Sequence, residues 1–281
     1  MFLAEPPRTQ FDLNFSLFGF PVRVSPWFWL LGIVLGANAT GGSANTGIIL
    51  LICISSIFLS ILVHELGHAF MFRRFGQPAR IVLTMMGGLA IPDSSPFDSG
   101  NGGGKKTSSR QQIIISAAGP IAGFMLAGLV IGLVYLGGGE VAFRFGKMIS
   151  SDGFTLPWQV TLPTETSPYL QFLVHILLFF NIFWGIMNLL PVYPLDGGQI
   201  SREIFVSKDP WEGLKKSLWV SVITGAIVAG LGLLVFRQIF LGVMFGFLAF
   251  GSYQVLQQIG GRGGGFGGGG RGGYGSGGRP W

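Results

Sequence analysis

Apolar residues gather in six long runs, roughly residues 26–39, 47–72, 112–136, 168–190, 217–236 and 238–259. A membrane-crossing helix needs about 20 consecutive apolar residues, so the runs predict about six transmembrane helices. The first is short and reaches spanning length only if it starts near Phe18. The last two are separated by little more than Arg237, which predicts a tight helical hairpin or one long broken element. Residues 81–92, IVLTMMGGLAIP, are apolar but too short to span. Their β-branched ends around Gly87-Gly88 predict a strand or hairpin at the membrane face, after the second helix. The expected fold class is an all-α polytopic membrane protein with one small membrane-associated β element.

Composition supports this layout. Of 281 residues, 49% are hydrophobic and 11% charged, against about 25% charged in a soluble domain. A water-facing surface cannot be covered with so little charge, so a soluble fold is excluded. The net charge of +6 reads first as an orientation signal. With the N-terminus in the cytoplasm, 15 of the 18 Lys and Arg residues fall on the cytoplasmic side of six spans. Both termini are therefore expected in the cytoplasm. The N-terminal stretch MFLAEPPRTQFDLNF lacks a charged segment leading into an apolar core, so no cleavable signal peptide is expected. That feature and the single cysteine, Cys53, fit a bacterial inner membrane.

Two segments read as unstructured. Residues 93–109 are rich in Gly, Ser and Lys and predict a flexible loop. Residues 260–281, GGRGGGFGGGGRGGYGSGGRPW, cannot bury a core and predict a disordered tail. The domain reading is a membrane core over 1–259, with its motifs within 48–200, followed by that tail. Arg, Gly and aromatic residues alternate in RNA-binding tails too, but the composition favours a solvated segment, and no specific nucleic-acid partner is expected.

The chemistry lies in His64-Glu65-Leu66-Gly67-His68, an H-E-x-x-H pattern inside an apolar run. Residues i and i+4 share one helix face, so both imidazoles can reach one metal ion. Glu65 lies about 100° around the helix, within reach of a water at that ion. Ionisable groups at membrane depth cost roughly 2.5–3.5 kcal/mol each on insertion scales, and a metal ion offsets this by giving them partners. Zinc would lower the pKa of its water to about 7, and Glu65 could then accept a proton as general base. A catalytic zinc site needs a third protein ligand. His175, within FLVHILLFF, and Asp196 are the two candidates. Asp196 is favoured because two prolines and two glycines break the helix around it, and irregular backbone at membrane depth lines a protein interior or a wet cavity.

Taken together, these motifs resemble the site-2 protease family of intramembrane zinc metalloproteases. The matching residues are HELGH at 64–68, Gly87-Gly88, Ala118-Gly119-Pro120 and NIFWGIMNLLPVYPLDGG at 181–198. The resemblance implies a zinc endopeptidase cutting transmembrane segments of other membrane proteins, with one zinc held by His64, His68 and Asp196 and with Glu65 as base. It implies that Asn181 hydrogen-bonds the substrate or the developing oxyanion. Asn188 stands seven residues on, on the same helix face, and is expected to hold the broken backbone near the substrate. Gly87 and Gly88 are expected to leave a sheet edge open to an unwound substrate. Gly123 stands where the family commonly has asparagine. The chain reads as a minimal member without the PDZ or CBS domains of its larger relatives. A metal-ion transporter or an inactive membrane scaffold is the alternative. No repeated half or second ligand cluster supports transport, and the intact Glu65 argues against an inactive scaffold.

Overall fold

The computed structural model describes residues 7–40, 45–85, 87–92, 107–143, 149–150, 153–154 and 157–261. The chain opens with strands β1 (Leu13–Leu17) and β2 (Phe20–Val24), joined at Phe18-Gly19. Both turn residues have positive φ, 51° and 80°, the geometry that matches the twist of a two-residue hairpin. Arg73 pins this hairpin to the second helix. Its guanidinium donates to the Phe18 carbonyl at 2.8 Å and lies 4.3 Å from the centre of the Phe20 ring.

Helices α1 (Pro26–Thr40) and α2 (Thr46–Arg74) follow, then β3 (Ala79–Thr84) and β4 (Gly87–Pro92). β3 and β4 form an antiparallel hairpin, while β3 pairs in parallel with β2, Val22 opposite Ile81. One four-stranded sheet results, in the order β1-β2-β3-β4, with β4 at its edge. Its inner face, Phe20, Val22, Val24, Ile81 and Leu83, packs on Leu62, Leu66, Ala69 and Phe72 of α2.

The expected start of a first span near Phe18 does not occur. That position turns the β1-β2 hairpin, and the helix begins only at Pro26, giving α1 15 residues. Among the described residues, five helices are long and apolar enough to cross a membrane, covering 46–74, 109–136, 168–188, 212–234 and 239–259. The protein is thus mainly helical with small sheets, and its β content exceeds the single element expected. The reason is long-range pairing: β1 and β2 pair locally with each other and join the predicted hairpin only through the parallel contact of β2 with β3.

α3 (Ser109–Leu136) starts at a capping box, in which Ser108 and Gln111 satisfy each other's backbone N–H groups. It packs closely on α2, where a side chain at Gly67 would strike the Ala118 carbonyl. Four short strands follow, β5 (Glu140–Phe143), β6 (Ile149–Ser150), β7 (Gly153–Phe154) and β8 (Trp158–Thr161), paired as β5-β8 and β6-β7. α4 (Pro168–Leu178) runs into a π-helical turn at Phe179–Phe183 and then α5 (Trp184–Asn188). After a break come α6 (Asp196–Val206), α7 (Pro210–Leu234) and α8 (Ile239–Gly261). α7 and α8 form the tight hairpin expected, turning at Arg237 with φ 53°. Most of the predicted flexible loop, residues 93–106, and the tail from residue 262 lie outside the described residues.

Candidate metal and catalytic site

His64 and His68 stand one turn apart on α2, with their Nε2 atoms 3.1 Å from each other. Asp196, from the opposite end of the chain's core, places Oδ2 3.0 Å from His64 Nε2 and Oδ1 3.4 Å from His68 Nε2. The candidate ligand atoms of these three residues all lie within 4.8 Å of one another. His68 Nδ1 donates to the Ile115 carbonyl at 2.7 Å. That bond fixes the ring's tautomer and leaves the Nε2 lone pair facing the cluster, the usual support for a metal-binding histidine. Two imidazole nitrogens and a carboxylate converging in this way fit a zinc ion.

The route that brings Asp196 here is specific. α5 ends at Asn188, Pro191 and Pro194 prevent continuation, and Asp196 opens α6. The break folds tightly against the first turn of α6. A side chain at Gly197 would overlap the Leu189 carbonyl, and one at Gly198 would overlap the backbone of Val192 and Tyr193. The two glycines after Asp196 are therefore what lets the carboxylate approach α2.

Glu65 is 5% exposed and lines the same cavity as His64, His68 and Asp196. The Ala90 backbone amide of β4 hydrogen-bonds its carboxylate. Gly88 is the reason the strand can come so near, since a Cβ there would strike the Glu65 side chain. Gly87 has φ 115° and turns the β3-β4 hairpin. Both glycines thus lie beside the site at the sheet edge. The cavity measures about 750 Å³ and reaches from this edge past Asn181 and Asn188 to Phe240 and Leu248 of α8.

Asn181 sits in the π-helical turn, 2% exposed. Its Nδ2 donates to the Leu177 carbonyl and to Ser60 Oγ, both at 2.8 Å. A carbonyl can only accept, so the amide orientation is fixed chemically. Both N–H bonds are used and Oδ1 turns toward Gly123, where a Cβ would stand 3.4 Å away. Asn181 therefore offers an acceptor to the cavity, which does not suit an oxyanion. His175 is elsewhere: its Nδ1 bonds the Gln171 carbonyl one turn back, and it does not line the cavity.

Several residues of the site were not singled out in the sequence. Ser60 precedes His64 by four residues, so the i, i+4 series on α2 already marked it. The Ile115 and Ala90 contacts are backbone groups and leave no sequence signal. Gly119, quoted above only within the Ala118-Gly119-Pro120 match, gives the imidazoles room, since a Cβ there would strike His68. Farther along α3, Gly128 and Gly132 would each place a Cβ in open space.

Comparison with known proteins identifies the family and the fold. Residues 52–230 match the family described as Peptidase family M50. The zinc metalloprotease MJ0392 of Methanocaldococcus jannaschii is 26% identical over 196 residues, 69% of this chain and 45% of that protein. The curated protein sll0528 of Synechocystis is 26% identical over 201 residues, 67% of this chain and 42% of that one. This chain thus spans less than half the length of either relative. Among solved structures, a site-2 protease from Methanocaldococcus jannaschii shares the fold, with TM-score 0.50, 22% identity, and coverage of 88% of this chain and 95% of that one. The match runs through both the histidine helix and the Asp196 break, and the chain belongs to peptidase family M50.

Proposed function

We propose that this protein is an intramembrane zinc endopeptidase that cuts transmembrane segments of other membrane proteins. The observation that carries the proposal is the meeting of His64, His68 and Asp196 beside Glu65 in one cavity of a chain whose described residues include five helices able to cross a membrane. Membership in a peptidase family speaks for hydrolysis over metal transport or an inactive scaffold.

His64, His68 and Asp196 would hold the zinc. The chemistry that zinc supplies when bound is Lewis acidity, which polarises a peptide carbonyl and acidifies water. Glu65 accepts the proton of the attacking water and returns it to the leaving amine. Its bond from the Ala90 amide keeps the carboxylate at the sheet edge, where substrate arrives. A helical substrate hides its carbonyls in hydrogen bonds and must unwind locally. The open edge of β4 then receives it as an added strand. Asn181 accepts from a substrate backbone N–H through Oδ1, and Asn188 holds the end of α5 at the cavity wall.

The proposed topology, with both termini cytoplasmic, requires β2 and β3 on one side of the membrane, and their pairing meets that requirement. β2 and β3 lie side by side although α1 and α2 intervene. A sheet cannot straddle a bilayer, so a crossing by α2 is matched by a return through α1. The assignment is tested by zinc analysis of purified protein together with cleavage of a reconstituted transmembrane substrate. One zinc per chain and cleavage are expected. Glu65→Gln should retain zinc and lose cleavage by about 10²–10⁴-fold. Full activity in that variant refutes the mechanism.

A further inference from the structure

α7 and α8 contribute no ionisable side chain to the cavity, yet they hold the segment that delivers Asp196. Within the break, the Val192 N–H donates to the Leu190 carbonyl at 2.7 Å and the Leu195 N–H to the Val192 carbonyl at 2.8 Å. Tyr193 is served from outside. Its N–H donates to Ser221 Oγ of α7 at 3.0 Å, and its carbonyl accepts from Ser252 Oγ of α8 at 3.3 Å. Both serines are 1% exposed. Ser221 donates onward to the Ser217 carbonyl at 3.1 Å, so its single proton and a lone pair are both used. Ser252 shares its proton with the Leu248 carbonyl, 3.0 Å away.

The surroundings leave that peptide few other partners. Val192 is fully buried against Phe245 and Ala229, and Leu190 and Leu195 pack on the same cluster. The Tyr193 peptide in turn abuts the first turn of α6, since a Cβ on Gly198 would strike the Tyr193 nitrogen. A displacement of this peptide is therefore passed to the turn that carries Asp196.

We infer that Ser221 and Ser252 are positioning residues that grip the Tyr193 peptide from two helices and so fix Asp196 against the histidine pair. The inference rests on the zinc-site reading above. The two hydroxyls serve opposite ends of one residue's backbone, so each constrains a different direction of movement. Loss of both frees the break to relax while the packing of Val192 persists. The residues act through Asp196 and touch neither substrate nor the reacting atoms.

The test uses the full-length protein in detergent, with S221A, S252A and the double variant, and S56A as a control. Ser56 is a buried serine of α2 whose hydroxyl has no hydrogen-bond partner among the described residues. Zinc affinity is read by chelator competition, thermal unfolding is read on the metal-free proteins, and kcat and KM are read after zinc saturation. The double variant should bind zinc roughly 10- to 100-fold more weakly, the range for lost supporting partners of a metal ligand. It should lower kcat with KM unchanged, and its metal-free unfolding should fall somewhat below that of S56A, since the Tyr193 N–H loses its partner. Each single variant should lose zinc affinity by a smaller factor. Wild-type zinc affinity in the folded double variant overturns the clamp. Should the double variant not fold, wild-type zinc affinity in both single variants overturns it equally. A wild-type protein that binds no zinc refutes the metal site itself, which separates the two failures.

Discussion

α2 and the stretch from α4 to α6 both supply the site, and they do so in opposite ways. α2 runs unbroken for 29 residues and presents Ser60, His64 and His68 by helical periodicity alone. The second stretch passes through a π-helical turn, a short helix and a proline break before Asp196 emerges. In the first, the backbone hydrogen bonds to itself and the side chains are free for chemistry. In the second, side chains from three other helices supply partners: Ser60 accepts from the Asn181 side-chain amide, and Ser221 and Ser252 bond the Tyr193 backbone. Regular structure yields ligands by repetition. A ligand brought from far along the chain needs a scaffold of its own.

The comparison breaks first at the ligands. His64→Ala and Asp196→Asn should both abolish zinc binding and reduce cleavage by more than about 100-fold, beyond the loss of a mere supporting partner. Metal analysis checks this, and zinc retained at full stoichiometry in Asp196→Asn would leave α2 as the whole site. A smaller effect is expected from Gly197→Ala, which drives a methyl into the Leu189 carbonyl. Overpacking of this kind costs about 1–3 kcal/mol, whereas Gly128→Ala, into open space, should change stability by no more than about 0.5 kcal/mol. Denaturation of the two variants side by side measures the difference, and equal stabilities would deny the tight fit of the break.

Milder still is Asn181→Ala, for which KM should rise by roughly 3- to 10-fold with kcat little changed, as for a lost neutral hydrogen bond. A selective fall in kcat would instead restore an oxyanion role. The smallest effect lies at the sheet. Thr9, by side-chain and backbone hydrogen bonds, and then Arg23 hold the Asp12 carboxyl below its usual 3.8. Because the folded value is the lower, Asp12 favours the folded state above pH 3.8 and loses that contribution as pH falls through the lowered value. Asp12→Asn should flatten the dependence of thermal unfolding on pH between about 5 and 2; an unchanged slope discards the contribution.

What the sequence disclosed follows from range. His64 and His68 are four residues apart, so helix geometry sufficed. Asp196 was legible because prolines and glycines announce an irregular backbone. The π-helical turn at Asn181 was not, since FFNIF reads as ordinary apolar helix and the wider turn is set by packing. The β1-β2 hairpin carried a local sign, alternation around Phe18-Gly19, but an apolar run beside it suggested a longer helix. The parallel pairing of Val22 with Ile81 spans two helices and has no local sign at all. The four strands between α3 and α4 are two to four residues long, too short to show a period.

The shortness of α1 has a consequence for the lipid. At 1.5 Å per residue its 15 residues extend about 22 Å, against a hydrocarbon thickness of about 30 Å. On a topology in which α1 completes a crossing, the bilayer beside it must pinch inward to meet the helix ends. Trp27, in the first turn of α1, borders the cavity. On the function proposed above, headgroups and their hydration would then come nearer to His64, His68 and Asp196 along that flank, and the thinned membrane itself would shorten the path of water to the cavity.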